Sequence, residues 1–342
     1  MIALLALLLH MPVNADLTAA LGGRALNGAP SVFVSDAADW LFSFNQWPSF
    51  YRHDIASREN AFEGEKITVG TFLGPKVRLR TVSQGPLQGD RAELLMGHPA
   101  TAQPMLALSK NTLLVLAASG GVAPEDKVSK LAKRSFALCI VRLDARGPDA
   151  NSAYTLPSDD YGWYQGVEAR RDSRTGAIDV LVAHVVGGNA QTKLEAYRIV
   201  GDKLEKAPSG RRYARVAGNT FPIWDSVQAA RGVWDDGPKI AVDAENGHVA
   251  FVYAGGVMID GRRASVPNAR WVRYIGGRLF AGTARNPEMK TLAETYVWDQ
   301  ASKRFISMGG FEVAGSSPNG KYWVLHFPHN GRFSVSRVPP PE

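Results

Sequence analysis

Several absences narrow the chemistry of this sequence at once. Its 342 residues include one cysteine, Cys139, so no intramolecular disulfide, zinc knuckle or Cys-x-x-Cys redox pair can form. No apolar run reaches the roughly 18 residues of a membrane-spanning helix. A Gly-rich phosphate loop, a Gly-x-Ser-x-Gly elbow, a His-Glu-x-x-His pair and an EF-hand loop are all missing, which removes the best-marked nucleotide, hydrolase, zinc and calcium sites. The sialidase box Ser-x-Asp-x-Gly-x-Thr-Trp is missing too. Seven histidines are scattered, and neither His53-Asp54 nor His98-Pro99 has a partner at ligand spacing, so no metal and no cofactor are expected. Cys139 sits among apolar neighbours in Phe136 to Leu143 and reads as a buried, inert thiol.

What is present argues for a folded, turn-rich β-protein. The chain is 45% hydrophobic and 21% charged, a composition that can bury a core. Gly 34 and Pro 20 exceed ordinary usage without a Gly-X-Y period, which points to many turns. Residues Ile2 to Leu9 read IALLALLL, followed by Val13-Asn14-Ala15. That is the pattern of a secretory leader, with small residues at the −3 and −1 positions, so cleavage is expected after Ala15. The expectation is a signal peptide over 1–15, one β-domain over 16–342, and a periplasmic or secreted location. The net charge of +7 is carried by pairs, Arg170-Arg171, Arg211-Arg212 and Arg262-Arg263, and not by a basic arm. Nucleic acid is therefore not an expected partner, and anionic polymers of the cell envelope are.

From about residue 104 onward the pattern is a short strand, a tight polar turn, another strand and a longer loop. The hairpin 106–117 turns at Lys110-Asn111, and 136–143 continues its sheet, with 153–156 as an outer edge. The second unit runs 166–171, 178–186, 193–200 and 203–206; Ile178 to Val186 is apolar enough to be buried on both faces. The third runs 239–243, 248–253, 257–260 and 263–266. The fourth runs 270–275, 278–283, 291–298 and 304–308. The fifth runs 311–315, 321–327 and 332–338. Units of this length repeated in series predict propeller blades. Ser31 to Ser35 with Trp40 to Asn45, and Ile67 to Phe72 with Lys76 to Val82, read as further blades. The expectation is an all-β propeller of six or seven four-stranded blades, its ring closed by the N-terminal segment Asp16 to Asn27. Pro124 to Arg134 suits a short helical insertion, and Tyr213 to Asp236 reads as a long irregular loop.

The turn Ser317-Pro318-Asn319-Gly320-Lys321-Tyr322-Trp323-Val324-Leu325 resembles the S-P-D-G-K hairpin of periplasmic WD40-like propeller repeats of the TolB type. Val242 to Phe251 is a looser version, and Asn319 stands where that family usually has Asp. The resemblance implies an exported propeller that scaffolds envelope partners.

Candidate ligand residues gather before and after the second unit. Asp159-Asp160-Tyr161-Gly162-Trp163 precedes its first strand, and Trp224-Asp225 and Trp234-Asp235-Asp236 follow in the long loop. Aromatic faces beside carboxylates suit contact with a sugar. Two such carboxylates about 5 to 9.5 Å apart would also suit glycosidic hydrolysis. Two readings stand at this point: a monomeric binding or interaction module for an envelope protein or glycan, and a glycoside hydrolase-like enzyme.

Overall fold

The computed structural model describes residues 15–16, 31–46, 49–55, 62–68, 80–81, 102–119, 135–142, 152–157, 163–185, 191–222, 239–253, 255–283, 292–329 and 332–339. These residues form an all-β propeller of five sheets. Five strands come first: β1 (Ala15–Asp16), β2 (Ser31–Val34), β3 (Trp40–Gln46), β4 (Ser49–Ile55) and β5 (Phe62–Thr68). The next sheet has β6 (Arg80–Thr81), β7 (Ala102–Ser109), β8 (Thr112–Ser119), β9 (Ser135–Arg142) and β10 (Ser152–Thr155). Then come β11 (Trp163–Arg171), β12 (Ile178–Val185), β13 (Gln191–Val200), β14 (Lys203–Lys206) and β15 (Thr220–Pro222), the last pairing with β13. A fourth sheet holds β16 (Ile240–Asp243), β17 (His248–Tyr253), β18 (Gly256–Ile259) and β19 (Arg262–Ala264). A fifth holds β20 (Trp271–Ile275), β21 (Arg278–Thr283), β22 (Glu294–Asp299) and β23 (Arg304–Gly309). The chain ends with β24 (Glu312–Ser316), β25 (Tyr322–Phe327) and β26 (Arg332–Arg337), which join the first five strands in one sheet, ordered β1-β26-β25-β24-β2-β3-β4-β5.

The expected count of six or seven blades is corrected to five, and long-range pairing is the reason. The unit beginning at Ser31 and the unit beginning at Phe311 are one sheet, fused by a parallel pair in which Val32 meets Gly315 and Phe33 meets Ser316. The other expected N-terminal blade is split between sheets. Phe62–Thr68 pairs with β4, and Arg80–Thr81 pairs in parallel with β10. That pairing also makes 152–155 an inner member of its sheet and not an outer edge. Closure of the ring by the N-terminal segment is not supported: Ala15 and Asp16 pair with Val335 and Ser334, a two-residue contact, and 17–27 lie outside the described residues. The expected helix at 124–134 lies outside them as well.

Within the sheets the residue pattern explains each strand's place. Seven of the eight residues of β12, IDVLVAHV, are buried, as a central strand covered on both faces requires. The outer strand β14, KLEK, is largely exposed, and its lysines deter pairing with another chain. The core fills the spaces between neighbouring sheets: Leu114, Leu138, Val180 and Tyr197 pack between the second and third, and Leu181, Leu194, Val242 and Phe251 between the third and fourth. Trp271, Phe280 and Trp323 join the fifth to the terminal strands, and the Trp323 indole donates to Ser336 Oγ at 2.7 Å. Cys139 is fully buried and burial pushes its thiol up to about 12, so it is an inert core residue.

The turns are closed by short acceptors. Asp172 Oδ1 accepts from the backbone N–H groups of Arg174 and Thr175, Asp243 Oδ1 from those of Glu245 and Asn246, and the Asp299 carboxylate from those of Ala301 and Ser302. The Ser317–Gly320 turn adds a reason for its asparagine. Asn319 Nδ2 donates to the Asp36 carbonyl at 3.2 Å, and its backbone N–H donates to the Asp36 carboxylate at 2.8 Å. An aspartate there would lose the first bond and set a second carboxylate against Asp36.

Candidate functional site

The third and fourth sheets converge at one end of β11 on a cleft of about 460 Å³. Three segments line it. The β11–β12 turn brings Arg170, Arg171, Asp172 and Arg174. The segment after β14, which winds into one 3-10 turn over Arg212–Arg215, brings Arg211, Arg212 and Arg215. The β16–β17 turn brings Ala244 and Glu245, and Asp179 faces it from β12. Six arginines thus face three carboxylates, a formal excess of three positive charges in one cavity. Among the described residues that line it, only Ala244 and Gly210 are apolar.

The cleft is braced from behind. Arg198, only 5% exposed, donates to Asp179 Oδ1 at 2.7 Å and lies 3.6 Å from Asp172 Oδ2. Asp172 also faces Arg211 at 3.8 Å. Its carboxyl is held below the ordinary range, chiefly by the backbone N–H groups of Arg174 and Thr175. Tyr213 is fully buried beneath the floor, and its hydroxyl donates to Glu168 Oε1 at 3.0 Å. Loss of water at Glu168 raises its carboxyl pKa despite the opposing Arg212 and Tyr213. This packing fixes the backbone from which Arg212 and Arg215 project.

Glu245 crosses from the neighbouring sheet. Its Oε1 accepts from Arg212 Nη1 and from Arg170 Nη1, the latter at 3.3 Å, and its carbonyl accepts from Arg215 Nη1. Its side chain is nonetheless 67% exposed. Among the described residues Arg171, Arg174 and Arg215 form no ion pair with a carboxylate. Their guanidiniums are planar forks suited to a carboxylate, sulfate or phosphate from outside.

A second polar cluster lies on the opposite side of the third sheet and is structural. Glu195 Oε2 accepts from the Tyr197 hydroxyl at 2.6 Å and Lys206 Nζ at 3.1 Å, and Glu195 Oε1 lies 3.5 Å from His184 Nδ1. Burial would raise the Glu195 carboxyl, but the bonds from His184, Tyr197 and Lys206 hold it well below the ordinary carboxylate range. Tyr164 stacks on His184 at 4.2 Å and closes the cluster. The network ties β11, β12, β13 and β14 together.

Of the residues expected from sequence to bind ligand, Asp159, Asp160, Tyr161, Trp224, Asp225, Trp234, Asp235 and Asp236 lie outside the described residues. Trp163 is the first residue of β11 and pairs with Val185. It therefore stands about 25 Å along the strand from Arg170 and Arg171, at the opposite end from the arginine cleft. The arginine pairs were legible as charge, and two of the three meet in the cleft. The third, Arg262-Arg263, lies on β19 in the fourth sheet. Arg174, Arg215 and Glu245 gave no sign in the sequence beyond sitting beside turns. Part of the expected irregular loop over 213–236 is ordered structure: the 3-10 turn Arg212–Arg215 overlaps its start, and β15 lies within it. Among the described residues no group of three His, Cys, Asp or Glu is placed to hold a metal ion, and no helix is long and apolar enough to cross a membrane.

No protein-family model matches the chain, and no curated protein matches it. Solved structures similar to it include Sqt1 from Saccharomyces cerevisiae, at 9% identity and a TM-score of 0.39, covering 92% of this chain and 97% of that one. The β-propeller domain of Cps50 (Swd1) from Myceliophteria thermophila is similar at 10% identity and a TM-score of 0.37, covering 90% and 82%. A prolyl endopeptidase is similar at 11% identity and a TM-score of 0.36, covering 88% of this chain and 37% of its own. This chain thus spans little more than a third of the peptidase. At such scores the likeness carries no functional argument, and the propeller assignment stands on the five sheets.

Proposed function

We propose that this chain is an exported binding module, cleaved after Ala15, that takes an anionic group of an envelope partner or glycan in the arginine cleft. The observation that carries the reading is the convergence of six arginines, from two segments of the third sheet, on one cavity whose described lining holds only three carboxylates. A rigid propeller suits this role, because its sheets hold the turns in place while the turns supply the contacts. The same assembly suits the scaffolding role of TolB-type propellers. The lining favours an anionic ligand over a neutral sugar, since its described residues offer guanidiniums and no aromatic ring. The catalytic alternative has no comparable support, because the carboxylates it draws on lie outside the described residues.

The test is calorimetric titration of the mature protein with trigalacturonate and with neutral maltotriose, each at about 50 and 500 mM NaCl. Trigalacturonate is expected to bind at low salt and to weaken at least tenfold at high salt, because exposed charge pairs are screened over roughly a Debye length. Maltotriose is expected not to bind. Equal binding of both, or binding indifferent to salt, rejects the reading.

A further inference from the structure

The cleft already holds a carboxylate that its own chemistry does not require. Glu245 is mostly exposed, yet one of its oxygens receives guanidinium groups from both Arg170 and Arg212. Its backbone is not free to move with it. Asp243 caps the N–H groups of Glu245 and Asn246, and the Asn246 amide donates to Asp243 Oδ2 at 2.7 Å. The side chain, with its rotatable bonds, can swing out of the cleft while the turn stays in place. Asp172 differs: it caps its own turn and rests against the buried Arg198. One carboxylate is built into the wall and the other is laid across the opening.

We infer that Glu245 is a placeholder for a carboxylate of the ligand, and that the ligand is a carboxylated oligosaccharide whose acid group displaces it from Arg170 and Arg212. The inference rests on the binding-module reading and names the ligand class and the residue that competes with it. Three features of the cleft select this class. The position is already shaped to a planar carboxylate held by two guanidiniums. Arg171, Arg174 and Arg215 stand nearby to receive further charges, as a repeating acid would supply. Among the described residues the lining is built mainly from charged side chains, which suits a ligand that carries polar groups along its length. Exposed ion pairs are weak individually, so exchanging one carboxylate for another costs little, and the ligand gains by its additional contacts.

The test compares wild type with Glu245→Gln and Glu245→Ala, titrated with trigalacturonate, tetraglutamate and inorganic sulfate. Glu245→Gln keeps the shape and an acceptor for the arginines while removing the competing charge, so it guards against loss of the turn. Both variants are expected to bind trigalacturonate about fivefold more tightly than wild type, with melting temperatures close to it. Sulfate and tetraglutamate are expected to bind more weakly than trigalacturonate to all three proteins. Unchanged or weaker trigalacturonate binding by folded Glu245→Gln overturns the placeholder, while wild-type binding leaves the binding-module reading standing. Tighter binding of tetraglutamate than of trigalacturonate overturns the ligand class. No binding of trigalacturonate to any of the three proteins rejects both the inference and the reading beneath it.

Discussion

Replacing Gly315 with alanine is expected to destabilise the protein by about 3 kcal/mol or more, at the upper end of overpacking costs. For a chain of this size that is a fall of roughly 4 °C or more in melting temperature. The reason is the seam where the two ends of the chain meet. Gly315 pairs in parallel with Val32, and a Cβ on Gly315 would sit 1.9 Å from the Val32 carbonyl oxygen and 2.7 Å from its carbon. Both are backbone atoms, so no side-chain rotation relieves the clash, and β24 must part from β2. The ladder is also irregular here, shifting register between Val313 and Gly315 against β25. Gly201→Ala is the control. Gly201 occupies an open turn with φ +55 and nothing within 4 Å of the added methyl, so only the left-handed backbone cost of about 1 to 2 kcal/mol applies. Thermal denaturation followed by circular dichroism separates the two. If Gly315→Ala costs no more than Gly201→Ala, the parallel seam does not hold the ends of the chain together.

Neutralising Arg171, Arg174 and Arg215 together, each to glutamine, is expected to weaken trigalacturonate binding about a hundredfold. Each exposed guanidinium–carboxylate contact contributes on the order of 1 kcal/mol, and three correspond to about two decades in dissociation constant. These three are chosen because none pairs with a described carboxylate, so their loss leaves no internal acid unpaired. Stability is expected to stay within about 1 kcal/mol of wild type, as is usual for surface substitutions. Among the described residues the side-chain hydrogen bond given up is that of Arg215 to the Glu245 carbonyl. The same calorimetric titration reads the result. Retention of wild-type affinity by the folded triple variant places the ligand elsewhere.

The contrast between what the sequence reveals and what it conceals follows the range of the interactions. Hairpins were legible because their determinants are local. Lys110-Asn111 joins β7 to β8, the strands Lys203–Lys206, His248–Tyr253 and Arg278–Thr283 have the bounds expected, and β12 is buried on both faces as its mostly apolar sequence requires. The blade count was not legible, because it depends on pairings that join distant residues. Val32 with Gly315 and Arg80 with Ser152 leave no periodic trace. The binding cleft falls between these cases. Paired arginines announce positive charge, but only the ring geometry brings 170–174, 211–215 and 245 to one place. The resemblance at Ser317–Leu325 identified a turn whose asparagine makes sense only beside Asp36, across nearly the whole chain.

Amide hydrogen exchange of the protein, free and saturated with trigalacturonate, tests the arginine cleft as the binding site. Slower exchange is predicted in 170–174, 210–215 and 244–245, the three segments that line the cleft. Protection confined to the stretches holding Asp159 to Trp163 and Trp224 to Asp236, with the arginine segments unchanged, would contradict it.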